Sequence, residues 1–339
     1  MSLTDTLTSA WMRRSLLAWL LLPLGLLFAG LSALRRGLYR QGFLKSIRLS
    51  RPVIVVGNVT VGGSGKTPLT LWLVDALIKR GYRPGIISRG YGGSVSAGGG
   101  MRQVLPTDNP AQTGDEPLLM ARRGLCPVWI GRDRAAVGLA LLAAHPDVDV
   151  LVTDDGLQHY RLARDVEIVV MDTRGAGNGF PLPAGPLREP LSRIRRVQAL
   201  VFNGGRPDSR IPGDVPAFAM CLTGRTFQNL VGPGLHCDAA SFAGKRVEAL
   251  AGIGHPQRFF DHLASLGVTA SDHPFPDHHA YTAADLNFPG ADVLLMTEKD
   301  GVKCAALAPA HAWVLRVDAE VDAALVQLIV EKLNGRPPA

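Results

Sequence analysis

The chain has 339 residues, 47% hydrophobic and 19% charged. That mixture excludes a disordered polymer and suits about two domains with sizeable cores. The formal charge is +7, and all of it falls on residues 1–51, where Arg13, Arg14, Arg35, Arg36, Arg40, Lys45, Arg48 and Arg51 face only Asp5. The other 288 residues carry 28 basic and 28 acidic side chains, so the globular part lacks the positive surplus of a nucleic-acid binder, and no nucleic-acid partner is expected.

Ser15 to Leu34 is a near-continuous apolar run, SLLAWLLLPLGLLFAGLSAL. As a helix it spans about 30 Å, the thickness of a bilayer's hydrocarbon core. A cleaved signal peptide would export the nucleotide site described below, away from ATP. A spanning helix would send one of the two flanking Arg clusters across the membrane, against the usual charge bias. A peripheral or monotopic helix keeps both clusters among cytosolic headgroups, and this is the expected arrangement. Pro23 and Gly25 are candidates for a bend, and Trp11, Trp19 and Tyr39 for interfacial anchors.

Beyond this segment, strands and helices alternate. Pro52–Asn58 reads as a buried strand, Pro68–Arg80 as a helix and Pro84–Ser88 as a strand. Gly92–Gly100 is a loop. Glu116–Gly124 reads as a helix, Val128–Ile130 as a strand, Arg132–His145 as a helix, and Val148–Asp154 and Val166–Asp172 as strands. Gly175 to about Gly213 reads as a connecting region with one strand at Ala199–Asn203. A second block follows: strand Val247–Ala251, helix Pro256–Leu266, strands Asp292–Thr297 and Ala312–Val317, and a terminal helix Asp322–Leu333. This rhythm predicts an α/β fold. It comprises a P-loop NTPase-like parallel-sheet lobe, a second smaller α/β lobe and an N-terminal membrane-associating helical segment. The expected boundaries are 1–45, 46–213 and 214–339, with a cleft between the lobes. Cys126, Cys221, Cys237 and Cys304 have no metal-like spacing and read as free buried thiols.

Gly62-Gly63-Ser64-Gly65-Lys66-Thr67 follows a strand and opens a helix, as a phosphate loop requires. Glycines let backbone N–H groups approach phosphate oxygens, and the helix dipole adds to them. Lys66 is expected on the β- and γ-phosphates of ATP and the Thr67 hydroxyl on Mg²⁺. Thr60 stands where the general pattern has its first Gly.

A carboxylate is expected near Mg²⁺ at the end of a neighbouring strand, and Asp154-Asp155 fits. Gly114-Asp115-Glu116-Pro117 supplies a second acidic pair, which on spacing alone reads as helix capping. Arg89 is a phosphate contact or a surface turn residue. The Phe275-Pro276-Asp277-His278-His279 cluster is a metal site, a catalytic His or a surface loop. In Thr297-Glu298-Lys299-Asp300, Lys299 or Lys303 is a candidate for a phosphate or headgroup, with capping by Thr297 or Asp300 as the alternative.

In this order, these residues resemble the tetraacyldisaccharide 4'-kinase family of lipid A biosynthesis. The shared set runs from the apolar start through Val55–Asn58, Gly62–Thr67, Ser88–Gly93, Gly114–Pro117, Gly131–Arg134, Asp154–His159 and Pro183–Pro190. It continues through Gly252–Pro256 and Phe275–His279 to Thr297–Lys303. Gly301 stands where a larger residue is expected. The resemblance implies transfer of the ATP γ-phosphoryl group to the 4'-hydroxyl of a tetraacylated glucosamine disaccharide 1-phosphate, forming lipid IVA at the cytoplasmic face of the inner membrane. It implies Asp115 as general base, His278 from the second lobe as its support, and Glu116, Asp154 and Asp155 as Mg²⁺ carboxylates. The partners implied are the lipid substrate and the membrane surface. A membrane-associated P-loop ATPase switch, with water as acceptor, is the competing class.

Overall fold

The computed structural model of the chain describes residues 9–204, 210–211 and 213–335. Residues 1–8, 205–209, 212 and 336–339, at the ends and within the expected connecting region, lie outside the described residues.

The elements in chain order begin with helix α1 (Leu16–Arg40), strand β1 (Val53–Gly57), α2 (Lys66–Ile78) and β2 (Pro84–Ser88). Then come the short α3 (Ser94–Ala97), β3 (Met101–Gln103), α4 (Pro110–Thr113), α5 (Asp115–Arg123), β4 (Val128–Gly131) and α6 (Arg134–Ala144). Strands β5 (Val150–Asp154), β6 (Val166–Asp172), β7 (Ala199–Asn203), β8 (Ala217–Thr223), β9 (Phe227–Asn229), β10 (His236–Cys237) and β11 (Val247–Ala251) follow. The chain closes with α7 (Pro256–Ser265), β12 (Ser271–Pro274), β13 (Val293–Thr297), α8 (Glu298–Cys304), β14 (Ala312–Leu315), β15 (Asp318–Val321) and α9 (Ala324–Asn334). The segment read as the Gly92–Gly100 loop contains α3. Strands β3, β9 and β12 are too short, and the seven-residue β8 too irregular in its burial, to be visible in the sequence.

The chain divides into two compact units, Met1–Arg89 with Asp133–Cys221 and Glu320–Ala339, and Gly90–Arg132 with Leu222–Ala319. The expected boundaries at 46–213 and 214–339 run along the chain, whereas these units interleave. Helix α5, inside the expected kinase core, packs on α8 in the second unit. Helix α9, expected in the second lobe, packs on α2 and β6 in the first.

In the first unit, β8-β7-β6-β1-β5-β2 form a parallel sheet. Strands β1, β5 and β6 are buried along their whole length, as near-continuous Val, Ile and Leu runs require. Leu69, Leu73 and Leu77 of α2 are fully buried, each contributing about 1.5–3 kcal/mol. Strand β1 leads to β5 on one side and β6 on the other, which makes its carboxyl end the switch point where such sheets bind ligands.

In the second unit, β10-β9-β14-β13-β11-β12 form a sheet in which β12, β11, β13 and β14 run parallel. Phe227, Phe259, Phe260, Leu263 and Leu295 build the core on one face. Of the four cysteines, all free, only Cys304 is buried. Cys221 is exposed, contrary to the expectation for the set.

Helix α1 continues through Pro23 without interruption. It is long and apolar enough to cross a membrane by length and composition, and is largely unburied. Its polar and aromatic flanks bind protein. The Trp11 indole donates to Pro183 O at 2.9 Å, and Trp19 packs edge-on against Phe180. Tyr39 lies beside Tyr160, and Arg36 pairs with buried Glu189 at 3.4 Å. Trp11 and Trp19, expected as interfacial anchors, together with Arg36 dock the helix on residues 175–190, whereas Tyr39 meets Tyr160. Asn178 sits at the centre, its amide donating to Ala10 O, Arg13 O and Ala184 O and accepting from Phe180 N. Gly25 is required there because a Cβ would lie 2.9 Å from Pro181 O.

Asn178→Ala removes the bonds to Ala10 O, Arg13 O and Ala184 O and is expected to cost the docking about 1–3 kcal/mol. Hydrogen exchange checks this, with faster amide exchange expected over residues 10–25. Unchanged rates in that stretch would show that the helix is held by other contacts.

Candidate active site

Helix α2 starts at Lys66 without a side-chain cap, and its N-cap, Gly65, has φ +93. Its first-turn N–H groups are therefore open to an anion, and the helix dipole favours one. Gly65 is needed twice over. Its left-handed backbone excludes most side chains, and a Cβ would lie 2.6 Å from Asn203 Nδ2.

The loop is held from outside. Asn58 Nδ2 donates to Gly62 O at 3.2 Å and to Ser64 Oγ at 3.3 Å, and Asn203 Nδ2 donates to Ser64 O at 3.2 Å. Arg174, itself fixed by Asp172, donates to Gly63 O at 3.1 Å. Val61 N donates to Pro186 O and Arg188 N to Val59 O, while Thr60 bridges to Leu187. The Thr60 departure is thus absorbed by backbone pairing with the segment that also docks α1. None of these supports was identified from the sequence, because Asn58, Asn203 and Arg174 reach the loop only through the sheet's register and turns.

Asp154 ends β5 level with Val56 of β1 and is buried. Thr67 Oγ1 donates to its Oδ2 at 3.2 Å, and Thr70 Oγ1 lies 3.5 Å from its Oδ1. Asp155 has φ +50, an uncommon backbone for a non-glycine residue. Arg134 donates to its carbonyl, while Arg188 donates to both carboxylate oxygens at 3.0 and 3.1 Å. Lys66 Nζ lies 3.8 Å from Asp155 Oδ1. Burial pushes the Asp155 carboxyl up, but Lys66, Arg188 and Arg134 outweigh it and hold it below its ordinary value. Arg89 follows β2 and is exposed.

The second unit carries its own polar cluster. Gly114, at φ +88, approaches Tyr91 O so closely that a Cβ would lie 2.5 Å from it, and this sets the start of α5. Asp115 is the first residue of α5 and is buried. His278 Nδ1 lies 3.1 Å from Asp115 Oδ2, and the Tyr91 ring lies 5.5 Å from the His278 ring. The two residues expected on different lobes therefore share one unit. Burial raises the Asp115 carboxyl, but the His278 hydrogen bond and the charges of Lys299, His278 and Lys303 hold it down at about 2. The hydrogen bond with Asp115 raises the His278 imidazole despite its burial.

His279 turns away to Asp285, at 3.4 Å, and among the described residues no group of three His, Cys, Asp or Glu side chains is arranged for a metal ion. Thr297 caps α8 by accepting from Asp300 N, and Lys303 pairs with Asp300 at 2.7 Å. Lys299 lies among carboxylates. Gly301 is explained by packing, since a Cβ would meet Val314 Cγ1 at 2.3 Å.

A parallel sheet with an uncapped glycine-lined loop at its switch point, on a chain that also carries a carboxylate–histidine pair, defines a P-loop phosphotransferase. The family model described as tetraacyldisaccharide-1-P 4'-kinase matches residues 17–334. A tetraacyldisaccharide 4'-kinase of Dechloromonas aromatica is 56% identical, with 96% of each chain covered. One of an Azoarcus species is 51% identical over 98% of this chain and 97% of its own. The crystal structure of LpxK from Aquifex aeolicus in complex with ATP is similar with a TM-score of 0.81. It is 32% identical and covers 94% of this chain and 100% of that one. The chain belongs to the tetraacyldisaccharide-1-P 4'-kinase family, and it is a kinase.

His159, behind the Asp154-Asp155 strand end, gives a pH signature. Burial, reinforced by Arg134 and Arg164 against Asp133, pushes its imidazole down to about 4. Between its ordinary value near 6.5 and about 4, the folded chain binds fewer protons than the unfolded one. Stability is therefore full above pH 6.5 and falls on acidification, by up to about 3 kcal/mol. Urea midpoints at pH 7 and 4.5 are expected to fall further in the wild type than in His159→Gln. Equal falls would mean that His159 is not kept neutral by the fold.

Proposed function

We propose that the chain transfers the γ-phosphoryl group of ATP to the 4'-hydroxyl of a tetraacylated glucosamine disaccharide 1-phosphate, giving lipid IVA, with Asp115 as the general base. The residue roles rest chiefly on one observation, the 3.1 Å contact between His278 Nδ1 and the buried carboxylate of Asp115. ATP binds the open amides of Gly62, Gly63, Ser64 and Gly65 and the first turn of α2. Lys66 neutralises the β- and γ-phosphates as charge shifts in the transition state.

The Thr67 hydroxyl and the Asp154 and Asp155 carboxylates form a hard oxygen donor set that would suit Mg²⁺, whereas a metal role for Glu116 rests on the family resemblance, its carboxylate lying 3.6 Å from Lys299 Nζ. Held by these oxygens, the ion would supply positive charge against the phosphate groups. Asp115, held at about 2, is a weak base. It therefore takes the sugar hydroxyl's proton late, once bond formation to phosphorus has made that proton acidic. His278 orients the carboxylate and offsets its charge. Most of the rate enhancement then comes from alignment and electrostatics.

Helix α1 supports attachment at the cytoplasmic face of the inner membrane, as a peripheral or monotopic element. Leu20, Leu24, Leu27 and Leu31 follow helical spacing and are exposed. Burying each in lipid contributes about 1.5–3 kcal/mol. Arg35 and Arg40 contribute about 1 kcal/mol each beside anionic headgroups. The acyl chains of the substrate give a reason for the address, since the enzyme then meets its acceptor in the bilayer.

The test follows labelled γ-phosphate with ATP, Mg²⁺ and the disaccharide lipid. Label is expected in lipid, and release only as free phosphate would overturn the kinase reading in favour of an ATPase. In the same assay Asp115→Ala is expected to lower kcat by about 10²–10⁴-fold with a smaller change in KM. Near wild-type kcat would remove Asp115 from the base role. Replacing Leu20, Leu24, Leu27 and Leu31 together by Gln is expected to abolish co-sedimentation with vesicles rich in anionic lipid. Sedimentation at the wild-type level would exclude this face as the anchor.

A further inference from the structure

Lys299 is the second residue of α8, and its Nζ lies among three carboxylates. It donates to Asp277 Oδ1 at 3.1 Å and lies 3.6 Å from both Asp115 Oδ2 and Glu116 Oε1. Asp115 and Glu116 open α5, whereas Asp277 precedes His278 in the turn after β12. We propose that Lys299 is a positioning residue for the Asp115–His278 pair, its ammonium tying the start of helix α5 to the turn that presents the imidazole. This rests on the reading of Asp115 and His278 as the proton-accepting pair.

The turn needs such a tie. His278 has φ +61, a left-handed backbone that a non-glycine side chain disfavours. Asp277 Oδ1 accepts from the His278 backbone N–H at 3.0 Å, and the same oxygen accepts from Lys299. The ammonium is thus one atom removed from the strained residue and in ionic contact with the carboxylate that its imidazole serves.

The origin of the lysine stem is fixed as well. Its neighbour Glu298 is held through Oε2 by Arg123 Nη2 at 2.6 Å and by Val317 N at 3.2 Å. Arg123 ends α5. Both ends of α5 are therefore tied to the first turn of α8, one by Arg123–Glu298 and the other by Lys299 with Asp115 and Glu116. A lysine side chain loses rotamer freedom when fixed, and a pinned helix start with three acceptors offsets that loss. The neighbouring lysine does not share the task, because Lys303 is engaged by Asp300 Oδ1 and Gly252 O.

The test is a double-mutant cycle on the full chain, with label transfer to lipid as the readout. Lys299→Met is expected to lower kcat about 10–50-fold with KM for ATP within about twofold of wild type. Lys299→Arg keeps the charge and is expected to recover part of the loss. A lysine that acts through the pair has nothing further to lose once the imidazole is gone. Lys299→Met/His278→Ala is therefore expected to match His278→Ala within about twofold.

Losses that multiply would overturn the proposal and assign Lys299 to the transferred phosphoryl group or to general stability. Melting temperatures and KM separate those two. If Lys299→Met does not fold, the cycle is run with Asp277→Asn, which removes the acceptor charge at a half-exposed position and is expected to show the same non-additivity. Wild-type turnover in both Asp115→Asn and His278→Ala would overturn the base reading itself. Low turnover in those two together with multiplicative losses would overturn the Lys299 proposal alone.

Discussion

A backbone that offers its N–H groups to phosphate cannot also use them to hold its own shape. The loop from Gly62 to Gly65 has this problem, with an uncapped helix behind it and positive φ at both Gly62 and Gly65. Its conformation therefore comes from neighbours that pair with its carbonyls instead: Asn58, Asn203 and Arg174 at Gly62 O, Ser64 O and Gly63 O. Each of these comes from a strand end or turn of the parallel sheet. The sheet's register thus becomes a property of the nucleotide site.

The same division of labour recurs in the second unit. Asp115 and His278 are presented by a helix start and a turn, and neither is stiff by itself. Gly114 lets the helix start approach Tyr91 O, and the Asp277 carboxylate stabilises the left-handed His278. Charge then links the parts. A buried carboxylate would ordinarily be driven towards its neutral form, and the imidazole and Lys299 reverse that at Asp115.

Segment 175–190 has two faces. One receives α1 through Asn178, Pro181, Pro183 and Glu189, and the other pairs with Val59, Thr60 and Val61 beside the phosphate loop. Docked at its flanks and at Gly25, the apolar helix keeps a leucine face exposed. The same few residues then set where the phosphate loop stands relative to that face. Its Pro- and Gly-rich composition suits this work, because close backbone approach at Gly177 and Gly185 leaves no space for a Cβ.

Much of this was legible in the sequence. Strands β1, β5, β6, β11 and β13 are apolar runs whose burial permits little else, and the glycine-Lys-Thr loop between strand and helix carries its chemistry in its own composition. Asp154 followed from its place at a strand end. The ordered motifs gave the family and, through it, Asp115 and His278, which spacing alone would have left as a cap and a loop residue. Interleaving of the units was not legible, because α5 and α8 are far apart in sequence and neither motif announces its packing partner. Nor were the contacts of Lys299, Arg188, Asn178 and Asn203, since a polar side chain's partner depends on which distant backbone the fold brings within about 3 Å. The sequence by itself determined what chemistry the chain carries and where its apolar surface lies, because these depend on residue type and local period. Only the tertiary structure decided which charges meet, because that depends on strand order and on a few ångströms of approach that no local pattern encodes.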